Sequence, residues 1–332
     1  MDDAFRWTNQ MPYGGGNYRY ELEDGWAKLP EGSSTFFDVP DVHVDVLDRV
    51  YITTRGEYPV MVFDQNGNLI TALKEGSFGF PLGSNRSNRH GLCVGPDDSI
   101  YVTNLGQHTV SKYDLEGNLF LLLGNKDRPS DSGYVKTAGV DPSTLVKRGA
   151  PPFNGPTDVA ISPTGEIYVS DGYFNASIHK FSPKGKLLLS WGEPGTGPGQ
   201  FRAPHGVWVD KQGRVWICDR ENNRIQIFSN EGKFIDQWTG FKQPCNLWID
   251  RWGIVYVVEL QNRITLLESN GDKILSLYAE EKDKHRVLFA PHSIAVDSKG
   301  NIYIGEVSSG SPQVVDRGIA GLQKLQKFVR KF

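Results

Sequence analysis

One unit of about a dozen residues occurs six times along the chain: VHVDVLDRVYIT (42–53), LCVGPDDSIYVT (92–103), VAISPTGEIYVS (159–170), VWVDKQGRVWIC (207–218), LWIDRWGIVYVV (247–258) and IAVDSKGNIYIG (294–305). Each copy is an apolar strand ending in Asp or another polar residue, a turn, and a second strand of aromatic and β-branched residues. Alternation at period two around turns such as Pro163-Thr164-Gly165 or Lys211-Gln212-Gly213 is hairpin chemistry. A third and a fourth strand follow each hairpin, most clearly in ASIHKFSPKGKLLLSWGE (176–193) and NRIQIFSNEGKFIDQWTG (223–240). Four strands make a blade that cannot bury both of its faces alone, so copies must stack, and six copies stacked in a ring give a six-bladed β-propeller. An eight-stranded barrel or jelly roll leaves six copies unexplained.

The expected organisation is one all-β domain over residues 1–332, with residues 1–17 as an N-terminal arm. The sixth copy lacks an obvious fourth strand beyond LQKLQKFVRK, whereas YRYELEDGW (18–26) resembles the fourth-strand string KLLLSWGE. Residues 18–26 are therefore the expected closing strand, hiding the edge that an open ring would expose.

Composition narrows the function. With a formal charge of −3 and no long basic run, the chain lacks the footprint of a nucleic-acid binder. Only the segment after Gln323 is basic. No stretch reaches the ~18 apolar residues that span a bilayer, and no secretory leader is evident. The three cysteines, Cys93, Cys218 and Cys245, are too few and too scattered for a disulfide framework, which fits a reducing compartment such as the cytoplasm.

Aligning the copies puts Pro40, His90, Thr157, His205, Cys245 and His292 in one register, two residues before the apolar run of each first strand. The histidines fall on copies two, four and six. Alternate blades of a six-bladed ring lie 120° apart with their first strands innermost, so three imidazoles would converge on one point and leave a fourth coordination position open. Catalytic zinc uses that arrangement, and other divalent ions accept it. The plainer alternative, ordinary polar residues at the start of strands, accounts for one histidine but not for three of seven in register. His43, His108, His179 and His285 break the register and read as packing or surface residues. Cys245 is open to two readings, thiolate ligand or small buried side chain. Loops after second strands carry Asp171-Gly172-Tyr173-Phe174-Asn175 and Asp219-Arg220-Glu221-Asn222-Asn223-Arg224, and Arg55 follows the second strand of the first copy. A tyrosine with arginines beside a metal makes a base, because positive charge favours the phenolate, while an arginine can grip a carboxylate bidentately.

At these residues the chain resembles the NHL-repeat propellers, and among them the peptidyl-α-hydroxyglycine α-amidating lyases, from about Val42 to Gly305. The SDGY and DRENNRIQ strings carry the most specific likeness. The resemblance implies that His90, His205 and His292 are zinc ligands, that Tyr173 is the catalytic tyrosine with Arg55 as its arginine partner, and that Arg220 is a second active-site arginine. It implies cleavage of an N–C–OH carbinolamide to an amide and glyoxylate or an aldehyde, on a small-molecule substrate that can bear a carboxylate. The chain also departs from that family. Ala290-Pro291-His292-Ser293 replaces a Met-Pro-His-Asp string whose Asp binds structural calcium, so calcium is not expected here, and Ala290 reshapes the pocket. The family's disulfide cysteines align with Asn154, Phe174, Trp216 and Ile227. Two rival functions remain at this level. A metal-dependent hydrolase or lactonase needs a carboxylate-rich axial site, with Asp171, Glu259 and Glu306 as candidates. A non-catalytic NHL scaffold leaves the three histidines without a role. Oligomeric state is not legible in the sequence.

Overall fold

In copies one, four, five and six the first strand ends in an Asp that organises the hairpin. Asp210 Oδ1 accepts the N–H groups of Gln212 and Arg214 at 3.0 and 2.8 Å, and its Oδ2 accepts Trp216 Nε1–H at 2.9 Å. Asp250 and Asp297 repeat the pattern, with the Tyr256 and Tyr303 hydroxyls taking the place of the indole. The repeat thus encodes a side-chain-capped turn that also anchors the aromatic of the second strand, six residues on. Gly213, Gly253 and Gly300 supply the left-handed residue of these turns, at φ 77°, 85° and 82°. Asp48 and Asp98 do so in the first two copies, as Asp tolerates that region better than most residues.

The structure is a computed structural model that describes residues 5–6, 13–31, 33, 37–78, 88–278, 288–308 and 324–332. His285 and residues 1–4 and 7–12 of the expected arm lie outside the described residues. Six antiparallel four-stranded blades form a six-bladed propeller. By contact density the chain divides into two compact units, residues 73–245 and residues 1–72 with 246–332.

The unit of residues 73–245 contains blade 2 (Arg89–Val94, Ile100–Asn104, Thr109–Tyr113, Leu119–Gly124), blade 3 (Pro156–Ile161, Ile167–Asp171, Ser177–Phe181, Leu187–Trp191) and blade 4 (Pro204–Val209, Val215–Asp219, Arg224–Phe228, Phe234–Thr239). Its core is built from facing strands of adjacent blades. Cys93, Tyr101 and Val110 pack with Phe153, Val159 and Val169. Ala160, Tyr168 and Ile178 pack with Phe201, Val207 and Ile217.

The other unit contains blade 1 (Asp41–Val44, Val50–Thr53, Val60–Phe63, Leu69–Leu73), most of blade 5 (Pro244–Ile249, Val255–Glu259, Arg263–Leu267, Lys273–Tyr278) and blade 6. Blade 6 takes Pro291–Val296, Ile302–Glu306 and Leu325–Lys331 from the C-terminal part, and its fourth strand, Tyr18–Glu23, from the N-terminal part. Phe328 lies opposite Leu22 and Arg330 opposite Tyr20, so the closing strand sits where the sequence places it. Tyr13–Gly15 adds outside it. Val39, Val42, Ile52, Phe63, Tyr303 and Leu325 form this unit's core with Trp26. No helix among the described residues is long and apolar enough to cross a membrane.

Candidate metal centre and its surroundings

The innermost strand of a blade would point alternate side chains to opposite faces, but the ladder slips where the register residues sit. Register shifts interrupt the first-to-second strand pairing between Arg89 and Leu92, Pro204 and Val207, and Pro291 and Ser293. These bulges span His90, His205 and His292, and a bulge re-aims a side chain out of the strict alternation. The chain also turns sharply before two of them. Ala203 and Ala290, each two residues before its histidine, adopt φ of 54° and 53°, a left-handed conformation that costs an L-residue roughly 1–2 kcal/mol.

All three histidines are buried, and their Nδ1 atoms are committed in the same way. His90 Nδ1 lies 2.6 Å from Thr157 O, His205 Nδ1 2.8 Å from Cys245 O, and His292 Nδ1 2.7 Å from Pro40 O. A carbonyl only accepts, so each Nδ1 carries the proton and each Nε2 keeps its lone pair. Thr157, Cys245 and Pro40 are the other three members of the sequence register. Alternate blades supply imidazoles, and the blades between them supply the backbone carbonyls that fix the tautomers. One ring nitrogen from each of His90, His205 and His292 lies within 4.8 Å of the others. Three neutral imidazoles with the remaining nitrogen held by a carbonyl are a donor set that fits a divalent metal ion.

Buried hydroxyls tie the strands of His90 and His205 together. Thr103 Oγ1 donates to Thr157 O at 3.2 Å, Thr157 Oγ1 reaches Pro204 O at 2.9 Å, and Ser170 Oγ donates to His205 O at 2.6 Å. Gly91 leaves the space for this approach, since a Cβ there would lie 2.7 Å from Thr157 O.

Tyr173 is half-buried beside the pair. Its hydroxyl donates to His90 Nε2 at 3.0 Å, and its ring meets the His90 and His205 rings edge-on at 5.2 and 5.9 Å. The guanidinium of Arg220 lies 5.5 Å from the Tyr173 ring centroid. Burial opposes the Arg220 charge, but the Tyr173 phenol, the Cys245 thiol and the Glu221 carboxylate outweigh it and raise the pKa. Glu221 also accepts Arg220 Nε–H at 2.8 Å. The loop of residues 125–155 braces the tyrosine turn: Ser132 Oγ donates to Phe174 O at 2.6 Å, and the Tyr134 ring stacks on Phe174 at 4.7 Å. Arg55 lies in the other unit, where its Nη1 donates to Asp38 Oδ2 at 3.0 Å.

The carboxylates that a lactonase reading requires are engaged structurally. Asp171 accepts Asn154 N–H and Asn175 Nδ2–H, Glu259 binds Arg263 and the Thr265 hydroxyl, and Glu306 accepts Phe289 N–H. Asp219 likewise accepts Arg202 N–H and Arg224 Nε–H. Burial raises its pKa despite these partners. Asn154, Arg202 and Phe289 each stand three residues before a register residue, so these carboxylates hold the backbone that leads into the site. Of the register-breaking histidines that are described, His179 is buried between Ser190 and Asp171, and the His43 ring packs on Trp248. Cys93, Cys218 and Cys245 are buried. Trp216 and Ile227 are direct cross-strand partners, and Phe174 N–H bonds Asn154 O. Those four positions, which carry cysteines in the resembling family, are thus close here and filled by other residues.

The carbonyl partners, the Thr103 and Ser170 hydroxyls and the position of Arg220 over Tyr173 are not explicit in the sequence, which offers only the Thr157 hydroxyl as a hydrogen-bonding group beside the histidines. The first had a visible signal, because its three residues complete the register; the others depend on which loops meet.

Comparison with known proteins agrees with this picture. The NHL repeat profile matches residues 153–181 and 201–228. Peptidyl-glycine alpha-amidating monooxygenase A of Xenopus laevis is 48% identical over 92 residues, 26% of this chain and 10% of that protein. Peptidyl-alpha-hydroxyglycine alpha-amidating lyase 1 of Drosophila melanogaster is 40% identical over 96 residues, 26% of this chain and 18% of its own length. NHL repeat-containing protein 3 of Mus musculus is 29% identical over 227 residues, 66% of this chain and 59% of that protein. The matched stretches are thus a minor part of the amidating proteins. Among solved structures, a streptogramin B lyase superposes with a TM-score of 0.60 at 14% identity, covering 94% of this chain and 98% of its own. A gluconolactonase from Xanthomonas campestris superposes with a TM-score of 0.59 at 14% identity, covering 97% of both. At such identity these two speak for the fold alone. The chain is a six-bladed propeller that carries NHL repeats over residues 153–181 and 201–228 and is similar to the amidating proteins over part of its length.

Proposed function

We propose that this propeller is a metal-dependent carbon–nitrogen lyase that cleaves a carbinolamide of the α-hydroxyglycine type into an amide and glyoxylate or an aldehyde. The observation that carries the reading is the set of three buried histidines with Nδ1 bound to a carbonyl, next to a tyrosine hydroxyl and a guanidinium. His90, His205 and His292 would hold the ion, zinc or another divalent metal, which as a Lewis acid makes the substrate hydroxyl more acidic. Tyr173 is the base. Its hydroxyl donates to His90 Nε2, and once that lone pair is engaged elsewhere the phenol is free to turn to substrate. The Arg220 guanidinium lies over the ring, 5.5 Å from its centroid. Tyr173 takes the hydroxyl proton, the C–O bond becomes a carbonyl as the C–N bond breaks, and the departing amide nitrogen gains a proton. No water is consumed. Arg220 and Arg55 are the two candidates for the substrate carboxylate. A small-molecule substrate, a cytoplasmic setting in keeping with only three, scattered cysteines, and no structural calcium complete the reading, because Ser293 brings no carboxylate after His292.

The lactonase alternative is weakened by the prior engagement of Asp171, Glu259 and Glu306. The scaffold alternative gives the shared tautomer no purpose. The decisive experiment combines elemental analysis with glyoxylate or aldehyde release from a panel of N-acyl-α-hydroxyglycines. One divalent ion per chain is expected, lost in the triple His→Ala variant. Tyr173→Phe should keep the ion and lose about 10²–10⁴-fold in turnover, the usual worth of a positioned base. Arg220→Ala and Arg55→Ala, compared for KM and kcat, identify which guanidinium supports the phenol. Full metal content in the triple variant, or full activity in Tyr173→Phe, would overturn the assignment.

A further inference from the structure

A second concave site lies within the unit of residues 1–72 and 246–332. It is a cleft of about 500 Å³ between the hairpin turns of blades 5 and 6, lined by Tyr18, Trp252, Phe332, Arg251, Lys299 and Arg330, with Asp250 at its base. That volume is in the range of small-molecule sites. The six residues of Pro291–Val296 separate His292, near the start of the strand, from Ser298 and Lys299 beyond its end. At ~3.3 Å per residue the two sites are about 20 Å apart.

Its chemistry is cationic and aromatic. The Arg251 guanidinium stacks 4.2 Å from the Trp252 ring, and that of Arg330 lies 4.8 and 5.2 Å from the Tyr18 and Phe332 rings. Each cation is bonded to a neutral oxygen: Arg251 to Ser298 O, Lys299 to Gln65 Oε1, and Arg330 to Asn17 O. None of the three forms an ion pair among the described residues. Asp250, the one side-chain carboxylate lining the cleft, is already taken by Trp252 N–H, Ile254 N–H and the Tyr256 hydroxyl. Three cationic side chains therefore face one occupied side-chain carboxylate, and Trp252 stays 55% exposed although it is a residue that folding usually covers. A guanidinium has five N–H donors, so Arg251 and Arg330 keep some for a further acceptor.

We propose that this cleft binds a small planar anion: an aromatic ring that stacks on Trp252 and the Arg251 plane, bearing a phosphate or carboxylate that meets Arg251, Lys299 and Arg330. The unmatched positive charge selects the anion and the exposed ring selects the flat body. This site is independent of the histidine centre and of the reaction assigned to it.

The test is a titration of the full chain, followed by calorimetry and by Trp fluorescence, with AMP, benzoate, adenosine and inorganic phosphate as probes. AMP or benzoate should saturate with Kd below about 1 mM, while adenosine and inorganic phosphate, each lacking one half of the recognised chemistry, should bind at least about tenfold more weakly. Arg251→Ala and Lys299→Ala, at exposed turns where folding is not at stake, should each weaken the ring-bearing anion about tenfold. Arg251→Lys, which keeps the charge and loses the stacking plane, should fall between, and Arg220→Ala should leave the affinity unchanged. No saturation by either ring-bearing anion up to about 10 mM, phosphate binding as tightly as AMP, or equal affinity in Arg251→Ala would each overturn the proposal.

Discussion

Gly172 shows how much of this site depends on single atoms. A Cβ at that position would stand 2.1 Å from Pro204 O and 2.7 Å from Pro204 N, which is backbone that cannot swing aside. The glycine of the SDGY string thus lets the Tyr173 turn press against the residue that precedes His205. Gly172→Ala should push Tyr173 and the His205 strand apart, destabilising the fold by about 1–3 kcal/mol as overpacking does and weakening metal binding. Thermal unfolding with a metal titration checks both; a wild-type affinity for metal would show that the two segments are not coupled. A second prediction rests on His43. Burial lowers its pKa from 6.5 to about 4, although Asp45 pulls the other way. Since the unfolded chain binds this proton more readily than the folded one, the contribution to stability is complete above pH 6.5 and fades as the pH falls towards 4. In protein stripped of metal, His43→Phe should flatten the fall of Tm across that window, and an unchanged slope would assign it to other groups.

At the scale of strands, the inner strands are built to display a side chain rather than to pair regularly. The bulges at His90, His205 and His292 interrupt the ladder, and at the second of them the hydroxyls of Thr157 and Ser170 anchor Pro204 O and His205 O. Ser170→Ala should leave His205 O without its buried donor, at a cost of about 1–3 kcal/mol. Loss of such outer partners commonly lowers metal affinity about 10–100-fold. Competition with a chromophoric chelator measures it, and unaltered affinity would leave Ser170 a purely structural residue. The left-handed Ala203 and Ala290 make the opposite prediction. Replacing either with Gly relieves a strained φ and should stabilise by up to about 1 kcal/mol, read as a shift in denaturation midpoint.

Over the whole molecule the notable economy is in how the ring closes. Blade 6 borrows Tyr18–Glu23 from the far end of the sequence and pairs it along Leu325–Lys331. Tyr20, fully buried on that strand, has its phenol pushed up to about 12 by burial. Closing the largest loop in the chain is entropically expensive only logarithmically in its length, and it removes a sheet edge that would otherwise template aggregation. Deleting residues 1–28 should therefore lower Tm or solubility markedly, and an unchanged melting curve would mean that the blade closes by other means.

The six-fold pattern determined the blades, because a capped turn, a glycine or Asp at the left-handed position and an aromatic six residues on are all local chemistry. It also determined which histidines matter: register along the sequence becomes position around a ring, and three of seven histidines share it. Even the carbonyl acceptors were latent in that register as Pro40, Thr157 and Cys245. Bulge geometry, however, arises only when a second strand is paired, so the re-aiming of His90, His205 and His292 was not legible residue by residue. Nor was the neighbour of Tyr173. The guanidinium of Arg220 lies over the ring, where the blade 3 turn at Gly172 closes on Pro204 of blade 4. Which loops touch depends on how adjacent blades pack, and packing is a property of the assembled core rather than of any one repeat.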